Sequence, residues 1–178
     1  INWDDGYGDI TIDGSEISDN GGFGISAYGD GAVRYGFRNL TLTDSTVDGN
    51  GAGIDVSGNI LIENSSVSNN GSGLSALYFG GTSIIARNSI ISGNGGAAAS
   101  ASGREGAFIL FDNSVVSNNE GIADASGNYQ SGSVSVLNST VTGNSGSIIA
   151  NSVGFFNSVA TGNTGYSVIT GFGPIVFP

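Results

Sequence analysis

Carboxylates are the groups with which this chain could do chemistry. Asp4, Asp5, Asp9, Asp13, Glu16, Asp19 and Asp30 crowd its start, and Asp44 and Asp48 follow one repeat later. Oxygen donors of this kind bind hard cations such as calcium. No EF-hand loop or Gly-Gly-x-Gly-x-Asp nonapeptide organises them, so solvated surface acids are the preferred reading. No cofactor is expected, and calcium at the acidic N-terminal coil is the one opening left. Cysteine is absent, which removes a thiol nucleophile and a disulfide framework. Tyr28, Tyr35, Tyr78, Phe79 and Tyr129 fall in the irregular stretches and are placed to stack against sugar rings, as candidate glycan contacts.

A repeat must position these groups. Ser15, Ser45, Ser65, Ser89, Ser114, Ser139 and Ser158 are each followed five residues later by an asparagine: Asn20, Asn50, Asn70, Asn94, Asn119, Asn144 and Asn163. Successive asparagines lie 30, 20, 24, 25, 25 and 19 residues apart. A rigid block with variable connections is the mark of a solenoid.

Aligned on the serine, apolar pairs sit five and three residues upstream, from Ile10/Ile12 to Val153/Phe155. Period two with both members apolar predicts a strand with one inward face. A second inward column runs Ile17, Val47, Val67, Ile91, Val116, Val141, Ala160; a third runs Ile25, Ile54, Leu74, Ala98, Ile122, Ile148, Val168. The expectation is an all-β parallel solenoid of about seven coils with three short strands each, roughly 30 Å long at ~4.8 Å per rung. The asparagines are expected to take the left-handed conformation of the corners and to bond amide to amide along the rod. The serines form a parallel ladder. Both columns are read as structural ladders in preference to chemical sites.

The third corner absorbs the length variation. Ser57-Gly58-Asn59 reads as a minimal turn, and 28–38, 77–83, 101–107 and 126–133 as longer excursions, on the edge that is often the working surface.

The phrases Ile17-Ser-Asp-Asn-Gly-Gly-Phe-Gly-Ile25 and Val67-Ser-Asn-Asn-Gly-Ser-Gly-Leu74 resemble the repeats of right-handed parallel β-helix proteins. That group includes pectate-lyase-like sugar enzymes, surface adhesins and autotransporter passengers, and the resemblance covers roughly residues 8–170. It implies a right-handed coil and leaves activity open, because the same repeat serves enzymes and inert stalks. Polygalacturonase-like and alginate-epimerase-like sites want a histidine, and this chain has none. A pectate-lyase-like site would join calcium-holding acids to a basic residue, and only Arg34 and Arg38, near Asp30, are so placed. Salt-bridged loop arginines are preferred there, and the chain is expected not to be an enzyme.

Outward positions of the middle strand read Glu16/Ser18, Thr46/Asp48, Ser66/Ser68, Ile90/Ser92, Val115/Ser117, Thr140/Thr142 and Val159/Thr161. This array is similar to ice-binding solenoids, a minor alternative, since only one rung is Thr-x-Thr. Leu61, Ile85 and Leu110, with Leu137 and Phe156 offset by two, suggest an apolar patch covered by a loop or another chain. Asn39, Asn64, Asn70 and Asn138 match the glycosylation sequon, as chance allows in so Asn- and Ser-rich a chain.

The 178 residues suit a single domain, 1–178, with coils starting near 8, 38, 58, 82, 107, 132 and 151 and an apolar tail at 170–178. Fifteen acids against four arginines give a net charge of −11. That disfavours nucleic acid and an anionic membrane surface, and no apolar run is long enough to span a bilayer. The missing methionine suggests a processed, exported chain, placed outside the cell or on its surface. The apolar tail either folds over its own last coil or meets a neighbour's first coil and extends the stack. The expected role is an extracellular structural or adhesive solenoid that self-associates end to end in a surface filament. A carbohydrate-binding or polysaccharide-processing module is the alternative, with a glycan or cell-surface partner.

Overall fold

The computed structural model describes residues 1–3, 8–28, 39–127, 132–164, 168–169 and 175–176. Every regular element among them is a strand. Ile10–Asp13, Leu40–Thr43, Ile60–Glu63, Thr82–Arg87, Ala107–Asp112, Ser133–Leu137, Ser152–Phe156 and Ile175–Val176 stack as a first parallel sheet. The short strands Glu16–Ser18, Thr46–Asp48, Ser66–Ser68, Ile90–Ser92, Val115–Ser117, Thr140–Thr142 and Val159–Thr161 form the second. Asn2–Trp3, Phe23–Ala27, Ala52–Val56, Leu74–Tyr78, Ala97–Gly103, Gly121–Gly127, Ile148–Ala150 and Val168–Ile169 form the third. Each strand pairs with its equivalent in the next coil, never with its chain neighbour. The product is a parallel β-helix of about seven coils.

The predicted apolar columns fill its interior. Ile12, Leu42, Ile62, Ala86, Phe111, Val136 and Phe155 pair in one register row and are all buried. Burying each large aliphatic side chain contributes about 1.5–3 kcal/mol. Stacking repeats the gain at every rung, and no coil could achieve it alone.

Several expectations require correction. The ladder asparagines are not the left-handed residues. Positive φ falls one position earlier, at Asp19, Gly49, Asn69, Gly93, Asn118, Gly143 and Gly162 before the asparagines. The same holds at Gly14, Asp44, Asn64, Asn88, Asn113, Asn138 and Asn157 before the serines. The left-handed residue makes the bend, and the ladder residue after it turns its side chain inward. Asp, Asn and Gly are the types that tolerate this conformation best.

In the third sheet Leu74 pairs with Ala99 and then Ala123, not with Ala98 and Ile122. Asn94-Gly95-Gly96 adds one residue to its corner, as Asn20-Gly21-Gly22 does, and shifts the inward column by one. Val168 likewise pairs with Ile149 rather than Ile148. Ala160 is in register with Val141 yet exposed, because Val159–Thr161 is the last strand of its sheet among the described residues.

The excursions at 77–83 and 101–107 are strand rather than loop. Leu74–Tyr78 and Thr82–Arg87 are separated only by 79–81, and Ala97–Gly103 and Ala107–Asp112 only by 104–106. Both corners are as short as 57–59, so extra residues lengthen strands. Val168–Ile169 and, within the tail, Ile175–Val176 lie parallel on the chain's own last coil.

Candidate functional site

The two predicted ladders are continuous. Each asparagine donates its side-chain Nδ2 to the Oδ1 of the next: Asn20 to Asn50, then Asn70, Asn94, Asn119, Asn144 and Asn163, at 2.8–3.1 Å. Its backbone N–H donates to that same Oδ1 at 2.9–3.1 Å. From Asn50 onward, Nδ2 also donates to a carbonyl of the preceding coil, as Asn94 does to Val67 at 3.1 Å. Ser15, Ser45, Ser65, Ser89 and Ser114 donate their backbone N–H to the hydroxyl of the following serine, and Ser139 to that of Ser158, at 2.9–3.2 Å. The members between the ends are buried, with Asn144 fully so. A buried amide must find partners, and the ladder supplies them.

Chemistry facing solvent collects at the third corner. A shallow groove of roughly 390 Å³ is lined there by Asn59, Thr82, Ser83, Glu105, Phe108 and Ser133, among others. Ser83, Phe108 and Ser133 occupy one outward register row. A third polar ladder leads up to it. Asn39 donates to Asp9 at 2.8 Å, Asn59 to Asn39 at 3.1 Å, and Ser83 through both its N–H and its hydroxyl to Asn59 at 2.8 and 3.0 Å. The Thr82 hydroxyl at the groove wall is buried without a hydrogen-bond partner. Phe108 and Glu105 escaped sequence reasoning. The signal was present in Ala107-Phe108-Ile109-Leu110-Phe111, whose alternation turns Phe108 outward.

The outward row of the third sheet runs Ser26, Asp55, Ser75, Ser100, Asp124. Burial pushes the Asp55 carboxyl above its ordinary value, and a hydrogen bond from Ser75 partly offsets this. The Tyr28 hydroxyl also donates to Asp55. One Asp124 carboxylate oxygen is buried without a partner.

The predicted site residues are therefore dispersed. Tyr28 sits against Asp55, and Tyr78 ends a strand opposite Gly103 instead of standing on a loop. Phe79 lies under the Arg104 guanidinium, 4.9 Å from the ring centroid. Tyr35, Tyr129, Arg34, Arg38, Asp4, Asp5 and Asp30 lie outside the described residues. Of the other acids, Asp48 accepts from the Asn69 amide at 2.8 Å and Glu63 pairs with Arg87 at 3.3 Å. No group of three or more metal-ligating side chains converges among the described residues. Of the sequon asparagines, Asn70 is buried within the ladder.

A family model described as the right handed beta helix region matches residues 1–169. No match was found among curated proteins or among solved structures. The family holds both enzymes and non-enzymes, so membership alone leaves catalysis undecided. The parallel sheets, the stacked corners and the match over nearly the whole length agree that the chain belongs to the right-handed β-helix family.

Proposed function

We propose that the protein is an extracellular structural or adhesive solenoid whose copies stack end to end in a surface filament, without catalysis. The polarity of the ladders carries this reading. Within the Asn and Ser columns each rung's backbone N–H donates to the side-chain oxygen of the following coil, and its own side-chain oxygen accepts from the preceding one. Donors on one side and acceptors on the other make such a rod complementary to a further copy of itself, a heterologous contact that need not close. Electron microscopy of native material tests it. Fibres with an axial repeat of about 38 Å, eight rungs of ~4.8 Å, are expected; discrete short rods at high concentration would refute stacking.

The corner groove favours a second reading, glycan binding. Phe108 offers an apolar face, and Glu105 and Ser133 offer acceptors beside it, which suits a sugar ring with an apolar side and a hydroxylated rim. Glycan-array binding that Phe108→Ala abolishes is the expected result. Binding unchanged in that variant would remove the groove from consideration.

A further inference from the structure

The charges at the third corner are sorted. Arg104 and Glu105 are adjacent in the chain, but the Arg104 guanidinium lies over the Phe79 ring, and neither of those two residues lines the groove. Glu105 does line it, exposed, with no ion pair or hydrogen bond to its carboxylate among the described residues. Gly81 and Gly106 add no side chain to the lining, and Glu105 is its sole charged member. The uncharged groups are ordered by the register of the first sheet. Ser83, Phe108 and Ser133 stand outward at successive rungs, ~4.8 Å apart. The Ser83 hydroxyl is already given to Asn59 at 3.0 Å, so what it offers the groove is an acceptor. The Ser133 hydroxyl makes no hydrogen bond among the described residues. One aromatic ring therefore stands between two hydroxyl rungs, with an unpaired carboxylate in the same groove.

We propose that this groove takes a glycan of hexosamine units with free amino groups, Glu105 pairing with the ammonium while Phe108 carries the apolar face of the ring. The inference rests on the glycan reading of the groove and adds which glycan it is. Charge decides the class. A uronate or a sulfated sugar would set an anion against Glu105 with no cation in the lining to offset it, on a chain of net charge −11. Like charges brought together are a means of rejecting a partner. A neutral sugar would fill the groove and leave the carboxylate unpaired. An ammonium gives Glu105 a charge-assisted hydrogen bond, and its remaining hydrogens suit the acceptor that Ser83 presents. N-acetylation removes that charge while keeping the ring and its hydroxyls, so the groove should tell a hexosamine from its own N-acetyl form.

Titration calorimetry in mildly acidic buffer of low ionic strength tests this with oligosaccharides of equal length: a glucosamine oligomer, its fully N-acetylated form and a galacturonate oligomer. The glucosamine oligomer should bind about tenfold or more tighter than the N-acetylated one, as a hydrogen bond to a charged group allows, and galacturonate should not bind. Glu105→Gln, at an exposed corner, should erase that preference and leave the N-acetylated oligomer unchanged. Glu105→Lys should pass the preference to galacturonate. Phe108→Ala keeps every charge and should abolish binding of the glucosamine oligomer. Glucosamine binding that survives Phe108→Ala belongs to the diffuse negative field of the rod and overturns the proposal, as does a preference unmoved by Glu105→Gln. Phe108-dependent binding led by the N-acetylated or the galacturonate oligomer keeps the groove as a glycan site and overturns the amino-sugar assignment alone. If none of the three binds while other glycans on an array do, the assignment again falls by itself; an array with no hits removes the glycan reading beneath it.

Discussion

Asn94 shows how little freedom a ladder position has. Its Oδ1 accepts both the backbone N–H and the side-chain amide of Asn70 at 3.1 Å, while its own Nδ2 donates to Val67 and Asn119 at 3.1 and 2.9 Å. Asn94→Ala removes the acceptor of two Asn70 N–H donors in a buried site, and at about 1–3 kcal/mol for each unsatisfied hydrogen the expected loss is ~2–6 kcal/mol. Urea unfolding measures it, and the half-exposed Asn163 should lose distinctly less. These asparagines were legible in the sequence by their spacing alone. Their conformation was not, because left-handed tolerance is shared by the residue before each one, and only the corner geometry decides which of the two bends. Asp55 carries a pH dependence. Its folded pKa is raised from 3.8 by burial, so the folded state holds that proton more tightly than the unfolded chain. The resulting stabilisation is complete below pH 3.8 and is lost as pH rises through the raised value. Asp55→Asn should abolish that dependence and be the more stable protein at neutral pH, as thermal melts across this window would show.

At the scale of the element, close backbone approach decides which substitutions a strand accepts. A Cβ on Gly73 would lie 2.3 Å from the Ala98 carbonyl oxygen and 2.7 Å from that of Ala97. The neighbouring coil cannot retreat without breaking its own pairing, so Gly73→Ala should cost ~3 kcal/mol or more. Gly22 has open space around its Cβ position, and Gly22→Ala should change stability by less than ~1 kcal/mol. A pair of denaturation curves tests both. Strand existence was readable wherever apolar residues alternate, as in Ile60–Glu63. The register of the third sheet was not, because Ala97-Ala98-Ala99 offers no alternation and the Gly-Gly corner hides one residue. The strand lengthening at Leu74–Tyr78 was masked by glycines 80 and 81, which read as loop when they only close a corner. Phe108 is not legible as a groove residue because it projects from a strand, Ala107–Asp112, and not from a protruding loop.

Across the whole molecule the charge is lopsided, with eleven of the fifteen acids before residue 64. Self-repulsion should make the first coils the first to open. Hydrogen exchange should be fastest at Ile10–Ser18 and slowest in the middle coils, and raising ionic strength from about 10 to 150 mM should narrow that gap by screening. One property of the stack bears on how the molecule ages. Asn50-Gly51, Asn70-Gly71 and Asn94-Gly95 are dipeptides whose glycine nitrogen, in a free chain, attacks the asparagine side chain and expels ammonia. Here those nitrogens donate to the carbonyls of Asn20, Asn50 and Asn70 at 2.8, 3.0 and 2.9 Å, and the amides they would attack are held in the ladder. Prolonged incubation at mildly alkaline pH, followed by peptide mass spectrometry, should find these sites intact in the folded rod and deamidated once urea unfolds it. The most perishable bonds of the sequence are thereby among the best preserved, and the lifetime of the material is set by how seldom a coil opens.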